Sequence, residues 1–313
     1  MNNYSNYLDL LTINRLHNST LAKLIRSQFT YEELMTTPMR LHKSKKYPEG
    51  KWVGNNPREI LTTSSHKFEM KNGKKITTKG VYLSPANEVS FQLPMFQFTM
   101  CSNSGLCAGA CINTAGQMVY NQNKQARINK TLAFKGWPKR FCSQLLEEIT
   151  DESRKALQRG EELHARNNGT SDELWERLIQ MDLFKACTPG FTTFYDYTKF
   201  GIGRIKGLPD SYHITFSIDE NPNSVKNALA YLKAGYSVAV VMHENEKMEV
   251  VDLPGVVDGD LSDHRPLDPP GSIVVLKAKG EAIKLPVGQF IKSAEFVRAL
   301  NRAAFIVRAP CVV

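Results

Sequence analysis

The chain has 313 residues, a formal net charge of +9 and 42% hydrophobic residues. That length and apolar content support one large or two ordinary domains with a true core, and no apolar run approaches the ~20 residues needed to cross a bilayer. The opening Met1-Asn2-Asn3-Tyr4 does not read as a secretory leader, so a cytoplasmic setting with reduced thiols is expected. The positive balance suits a polyanionic partner, nucleic acid or a phosphorylated substrate, and equally a merely basic soluble protein.

Residues 1–87 read as an N-terminal extension. Ser19-Thr20 caps a helix with Leu21, Leu24 and Ile25 on one face, and Thr30 with Glu33 makes a capping box. A basic run follows, with Lys43, Lys45 and Lys46 at its centre and Tyr47 and Trp52 interleaved. Cations pair with phosphates while rings stack on bases, so the run suits a nucleic-acid strand; a solvated surface loop is the competing reading. Residues 68–81 are predicted as a hairpin turning at Asn72-Gly73. Its lysines, Lys74 and Lys75 among them, would touch an anionic partner or guard the hairpin against edge pairing.

From residue 88 to 285, short β-rich runs alternate with helical runs, which predicts βαβ units and a parallel sheet. Six strands are expected, at 89–98, 162–166, 191–197, 212–218, 237–242 and 272–277. Helices are expected at 117–134 and 140–158. Another should open at the capping box Thr170 to Glu173 and run through Trp175 and Ile179. A further helix starts at Asn223-Ser224 and stops at Gly235. A C-terminal helix at 289–304, within a tail segment 286–313, is expected to pack on the rest. Six strand–helix steps predict an α/β fold, a partial (βα)6 TIM-like barrel. Reactive groups in such sheets gather past the C-terminal strand ends. Asn168, Ser171, Asp172, Lys199, Ser217, Asp260, Asp263 and Arg265 all fall at such positions.

The most informative stretch is the loop holding Cys101, Cys107 and Cys111, spaced C-x5-C-x3-C among small residues such as Ser104, Gly105 and Gly109. Small residues let backbone wrap a central object closely. Thiolates are the ligands of soft metals and iron–sulfur clusters. Three thiolates suffice for a 4Fe–4S cluster that keeps one iron open. Zinc is the alternative, but structural zinc takes four ligands, usually in C-x2–4-C pairs; Cys142, Cys187 or a histidine would have to complete the set. Buried structural thiols are a third reading. An aspartate-rich stretch, 258–268 with His264, suggests magnesium-assisted hydrolysis as a further option.

In combination, Leu93-Pro94 to Cys111, Arg166 to Asp172, Asp196-Tyr197-Thr198-Lys199, Asp258-Gly259-Asp260 with Asp263 and Arg265, and Leu276 to Gly280 resemble a poorly characterised family of bacteriophage proteins. That family is in turn similar to radical S-adenosylmethionine enzymes in strand order and in three cysteines after the first strand. The superfamily's usual C-x3-C-x2-C spacing is not kept here. The resemblance implies a cluster on Cys101, Cys107 and Cys111, and S-adenosylmethionine held by Asn168, Ser171, Asp172 and Ser217. It implies catalytic or substrate-holding roles for Lys199, Asp260, Asp263 and Arg265. The expected function is modification of a nucleic acid or nucleotide in the host cytoplasm. The alternative is a nucleic-acid-binding phage protein, contacting DNA through Lys43, Lys45, Lys46, Lys74 and Lys75, whose cluster or zinc only braces the fold.

Overall fold

The computed structural model describes residues 4–36, 40–44, 47–53, 58–63, 69–71, 74–186, 188–190 and 192–308. The N-terminal part contains helices α1 (Leu10–His17), α2 (Thr20–Gln28) and α3 (Tyr31–Leu34). Ser19 caps α2 by accepting from the Ala22 N–H, and the Thr30–Glu33 capping box opens α3 as its sequence implies. Strands β1 (Arg40–Ser44) and β2 (Tyr47–Val53) pair antiparallel as a separate two-stranded ribbon. Lys45 and Lys46 lie outside the described residues.

A nine-stranded sheet carries the rest. Its strands are β3 (Leu61–Thr63), β4 (Glu69–Lys71), β5 (Lys74–Val81), β6 (Glu162–Arg166), β7 (Thr192–Thr198), β8 (Tyr212–Ser217), β9 (Val238–Met242), β10 (Val256–Asp258) and β11 (Ile273–Lys277). β5 through β9 lie side by side in chain order and parallel, followed by β11 and then β10. β3 and β4 pair antiparallel with β5. The hairpin expected over 68–81 is therefore present as β4 and β5, with its turn residues 72 and 73 outside the described residues.

The first strand departs from expectation. Residues 89–98 form no strand; helix α4 (Glu88–Gln92) occupies the start of that run, and Pro94 follows. Proline lacks the N–H that a central strand must donate. The first parallel strand is β5, which pairs with β6 from Ile76↔Glu162 to Gly80↔Arg166. The sheet thus draws on residues ahead of 88. The helix expected from Thr170 to Ile179 is also absent: bends and one short 3-10 turn, Trp175–Arg177, lead to α7 (Met181–Ala186). β10 is a strand that the sequence reading did not anticipate.

Period-two alternation sorts the strands into two faces. Leu163, Ala165, Phe194, Ile214, Phe216, Val238, Val240, Met242, Ile273 and Val275 belong to the main core. There they join residues of α5 (Asn121–Gly136), α6 (Pro138–Gln158), α8 (Ser224–Lys233) and α10 (Ala294–Arg308). The other face presents Thr78, His164, Tyr195, Thr215, Ala239 and Val274, all buried but outside that core. Segment 259–268, which follows β10, covers this second face. Its turn Arg265–Leu267 packs on β7 and β8. His264 reaches Thr78 of β5, 3.1 Å away and far along the strand order. Between β9 and β10 lies α9 (Glu244–Met248). Among the described residues no helix is long and apolar enough to cross a membrane.

Candidate functional site

The last residue on the second face of each of five parallel strands opens into one cavity. These are Arg166 of β6, Tyr197 of β7, Ser217 of β8, Val241 of β9 and Leu276 of β11. The cavity measures about 250 Å3, and the loop holding Cys101, Cys107 and Cys111 forms its opposite wall. Parallel order puts every C-terminal strand end on one rim, so side chains distant in sequence converge there.

The cysteine loop is held from several sides. The Leu106 N–H donates to Glu220 Oε1 at 2.6 Å, and the Glu281 N–H donates to Thr114 Oγ1 at 3.1 Å. Gly280, at φ +56°, lies so close to Thr114 that an added Cβ would fall 2.4 Å from its Oγ1. Ala110 packs with Ala278, Ala282, Phe290 and Ile291 in a small second core, with Cys107 against it. Beneath the loop, Glu88 and Arg127 form a nearly dry pair, with Arg127 Nη2 2.7 Å from Glu88 Oε1; Asn113 Nδ2 donates to the same oxygen at 3.2 Å. Gly105 takes a φ of +47°, a turn that a side chain rarely tolerates.

Each of the three cysteines is partly buried. The Cys101 thiol lies 3.8 Å from the Thr170 carbonyl. Burial pushes the Cys101 thiol up to about 12 and that of Cys111 up to about 11, and the nearby sulfurs add to the effect. Both are therefore protonated, weakly reactive thiols until something electrophilic binds them. Cys142 lies fully buried in α6 within the main core and does not line the cavity, so it is not placed to complete a ligand set. Cys187 lies outside the described residues. Among the described residues, no three His, Cys, Asp or Glu side chains gather closely enough to hold one metal ion.

The segment after β6 forms a second wall, and a buried carboxylate builds it. Asp196 accepts from the Asn168 N–H at 2.5 Å, from Asn168 Nδ2 at 3.3 Å and from the Tyr212 hydroxyl. Burial pushes Asp196 up to about 7 despite these donors. Asn168 Oδ1 in turn accepts from Ser171 Oγ, the Glu173 N–H and Trp175 Nε1. The Asp172 N–H donates to the Met100 carbonyl at 3.1 Å, which ties this wall to the cysteine loop. Gly169 passes so near Tyr82 that a Cβ would meet its ring at 2.7 Å.

Asn168, Ser171, Asp172, Ser217, Lys199 and Asp263 all line the cavity, as do the three cysteines. Several are already committed. Asn168 and Ser171 brace each other, and Asp172 accepts from the Lys199 N–H and from Arg204 Nη1. Lys199 Nζ donates to Ser217 Oγ at 3.0 Å, which leaves this pair as the more available polar edge. Asp260 and Arg265 are not on the lining. Asp260 is paired with Lys247 Nζ at 2.9 Å and Lys279 Nζ at 2.8 Å, while Arg265 Nη1 lies 3.2 Å from Asp268 Oδ2. Both serve as braces of segment 259–268 rather than as groups open to a substrate. His264 is likewise buried against Thr78 and does not line the cavity. The sequence puts Arg166 and Tyr197 among the strand-end residues without a specific role and leaves Val241 and Leu276 out; period-two alternation up to each strand end is the signal that marks all four.

Of the proposed DNA-contacting lysines, Lys75 is fully described, and it does not line this cavity. Lys43 lies on β1 and Lys74 and Lys75 on β5, with Lys75 exposed.

Residues 62–303 match the family model described as Gene product 88. No curated protein and no solved structure matches the chain.

Proposed function

The chain belongs to the bacteriophage Gene product 88 family, and from that premise we propose that it is an iron–sulfur protein of radical S-adenosylmethionine type. Cys101, Cys107 and Cys111 would hold a 4Fe–4S cluster. The observation that carries this reading is the meeting of all three cysteines with the C-terminal ends of five parallel strands around one cavity. The parallel order β5-β6-β7-β8-β9-β11, with β10 at the outer edge beside β11, supports the reading to the extent that it brings the C-terminal strand ends to one rim. The donor chemistry fits: among the described residues the cavity is lined by three thiols and no imidazole, a set that favours a soft centre. A single zinc fits less well, because its ligands must meet at one point, and no such convergence occurs among the described residues. Cluster thiolates each take a different iron and stand further apart.

When bound, the cluster would supply one-electron chemistry that no side chain of the protein offers. The chain's own residues do the rest. Cys101 and Cys111 must each release a proton as metal binds, since burial otherwise keeps them protonated. Ser217 would hold the polar end of S-adenosylmethionine, with Lys199 beside it serving the substrate. Asn168 and Ser171 would fix the backbone wall behind it, with Asp172 holding the Lys199 backbone. Asp263 would face the substrate. The apolar lining from Val241, Leu276, Ala282 and Phe290 would keep water away from reactive species. A nucleic acid or nucleotide substrate is supported by the net charge of +9, and the work would then be done in the host cytoplasm.

The test is anaerobic reconstitution with iron and sulfide, reduction, and low-temperature electron paramagnetic resonance with and without S-adenosylmethionine. A reduced-cluster signal that shifts on adding S-adenosylmethionine is expected. A signal that ignores it would remove the enzymatic reading and leave a structural cluster.

A further inference from the structure

Arg166 stands out among the cavity residues because no ion pair among the described residues answers its charge. Its side chain enters the cavity from the end of β6, with the guanidinium carbon 4.9 Å from the centre of the Tyr197 ring. Its Nε is sealed from solvent and has no hydrogen-bond partner, and no ion pair forms at this guanidinium among the described residues. The neighbouring groups cannot supply one. Tyr195 and Tyr197 are pushed upward by burial and stay neutral. The oxygens of Asp196 are taken by Tyr212 and Asn168 on the other face of β7. Asp263 lines the same cavity without an ion pair to Arg166. A half-buried guanidinium with its Nε cut off from solvent and no counter-charge is costly to keep, and its fork of donors matches the oxygens of a phosphate or carboxylate.

A second cation faces the same space. Lys199 Nζ donates to Ser217 Oγ and lies 5.7 Å from the Phe290 ring centre, and it makes no ion pair among the described residues. The remaining cavity lysines are answered already: Lys277 pairs with Glu244 and Lys279 with Asp260. Two uncompensated cations suit a group that carries about −1.5 to −2 at neutral pH, as a phosphate monoester does. We propose that Arg166, aided by Lys199, anchors a phosphate group of the substrate on the floor of this cavity. This deepens the reading above by giving the substrate class, yet the site is formed by the chain itself and is measurable whether or not iron is bound.

The experiment titrates the full-length chain, as purified, with inorganic phosphate and separately with acetate, followed by heteronuclear NMR. Iron is measured on the same samples. Wild type should saturate with phosphate and bind acetate more weakly. Arg166→Met should weaken phosphate binding by roughly ten- to a hundredfold, the usual consequence of deleting a charged hydrogen bond. Arg166→Lys should fall between, because it keeps the charge and loses the fork. Lys206→Met, on the exposed turn after β7, should bind as wild type. If Arg166→Met fails to fold, Arg166→Lys decides. Absence of saturable phosphate binding to wild type, or equal affinity in the Arg166 variants, overturns the proposal. Tighter binding of acetate than of phosphate overturns the phosphate assignment. Phosphate binding in iron-free protein that cannot be reconstituted would sink the cluster reading and leave this one standing.

Discussion

Removing the carboxylate of Asp196 should loosen the wall that faces the cysteines. Asp196 is fully buried and takes three donors from Asn168 and Tyr212. In Asp196→Ala, Asn168 Nδ2 keeps the Glu173 carbonyl at 2.9 Å, but the Asn168 N–H and the Tyr212 hydroxyl lose their acceptor. Each orphaned buried donor costs about 1–3 kcal/mol, so a loss of about 2–6 kcal/mol is expected. That is a large share of a total stability of about 5–15 kcal/mol. Tyr212→Phe removes one donor and leaves the carboxylate two, and should cost about 1–2 kcal/mol. The double variant has no stranded hydroxyl, so its cost should fall short of the sum by about 1–2 kcal/mol. Urea denaturation of the four proteins at one pH measures the cycle. Additivity to within about 0.5 kcal/mol would refute the reasoning.

Three further outcomes follow from buried charges. Burial raises Asp196 to about 7, above its unfolded value, so the folded chain binds the extra proton between about 4 and 7. Its contribution to stability is therefore present at low pH and lost as pH rises through about 7; Asp196→Asn should flatten that part of the stability–pH curve, and an unchanged slope counts against it. Lys130 runs the other way. Burial lowers its pKa to about 8, and it donates to the Ile60 carbonyl and Thr62 Oγ1. The unfolded chain then holds more protons between about 8 and 10.5, so stability should rise across that interval, and Lys130→Met should abolish the rise. Glu88→Ala strands Arg127 under the cysteine loop and should cost about 3–5 kcal/mol, whereas Glu88→Ala combined with Arg127→Met should recover part of that loss in thermal denaturation.

The sequence was most readable where local rules and the fold agree. Strands β6 to β9 and β11 are short apolar runs with β-branched and aromatic residues between turn signals, and each lies within a residue or so of where alternation puts it. The cysteine loop and the Asn168–Asp172 segment were legible because small and polar residues cluster directly beyond such runs. β5 was legible as an arm of the hairpin but not as the first parallel strand of the sheet, because its lysines look solvated although Ile76, Thr78 and Gly80 turn inward beside β6. Residues 89–98 misled for the opposite reason: apolar content suggested a strand while Asn87-Glu88 started a helix and Pro94 barred ladder pairing. Asp260 and Arg265 look like site residues on a list of strand ends. Only the three-dimensional path of segment 259–268 shows that their charges are spent on Lys247, Lys279 and Asp268. Arg166 went the other way, since an unanswered charge is visible only once its surroundings are known.

Iron and acid-labile sulfide, counted per chain after anaerobic reconstitution, bear most directly on the cluster. Wild type should bind close to four of each, with the brown absorbance of a cluster, and a Cys101→Ser, Cys107→Ser, Cys111→Ser triple variant should bind none while keeping its fold by circular dichroism. One zinc per chain and no iron in wild type, or equal iron in the triple variant, would contradict a cluster on these three cysteines.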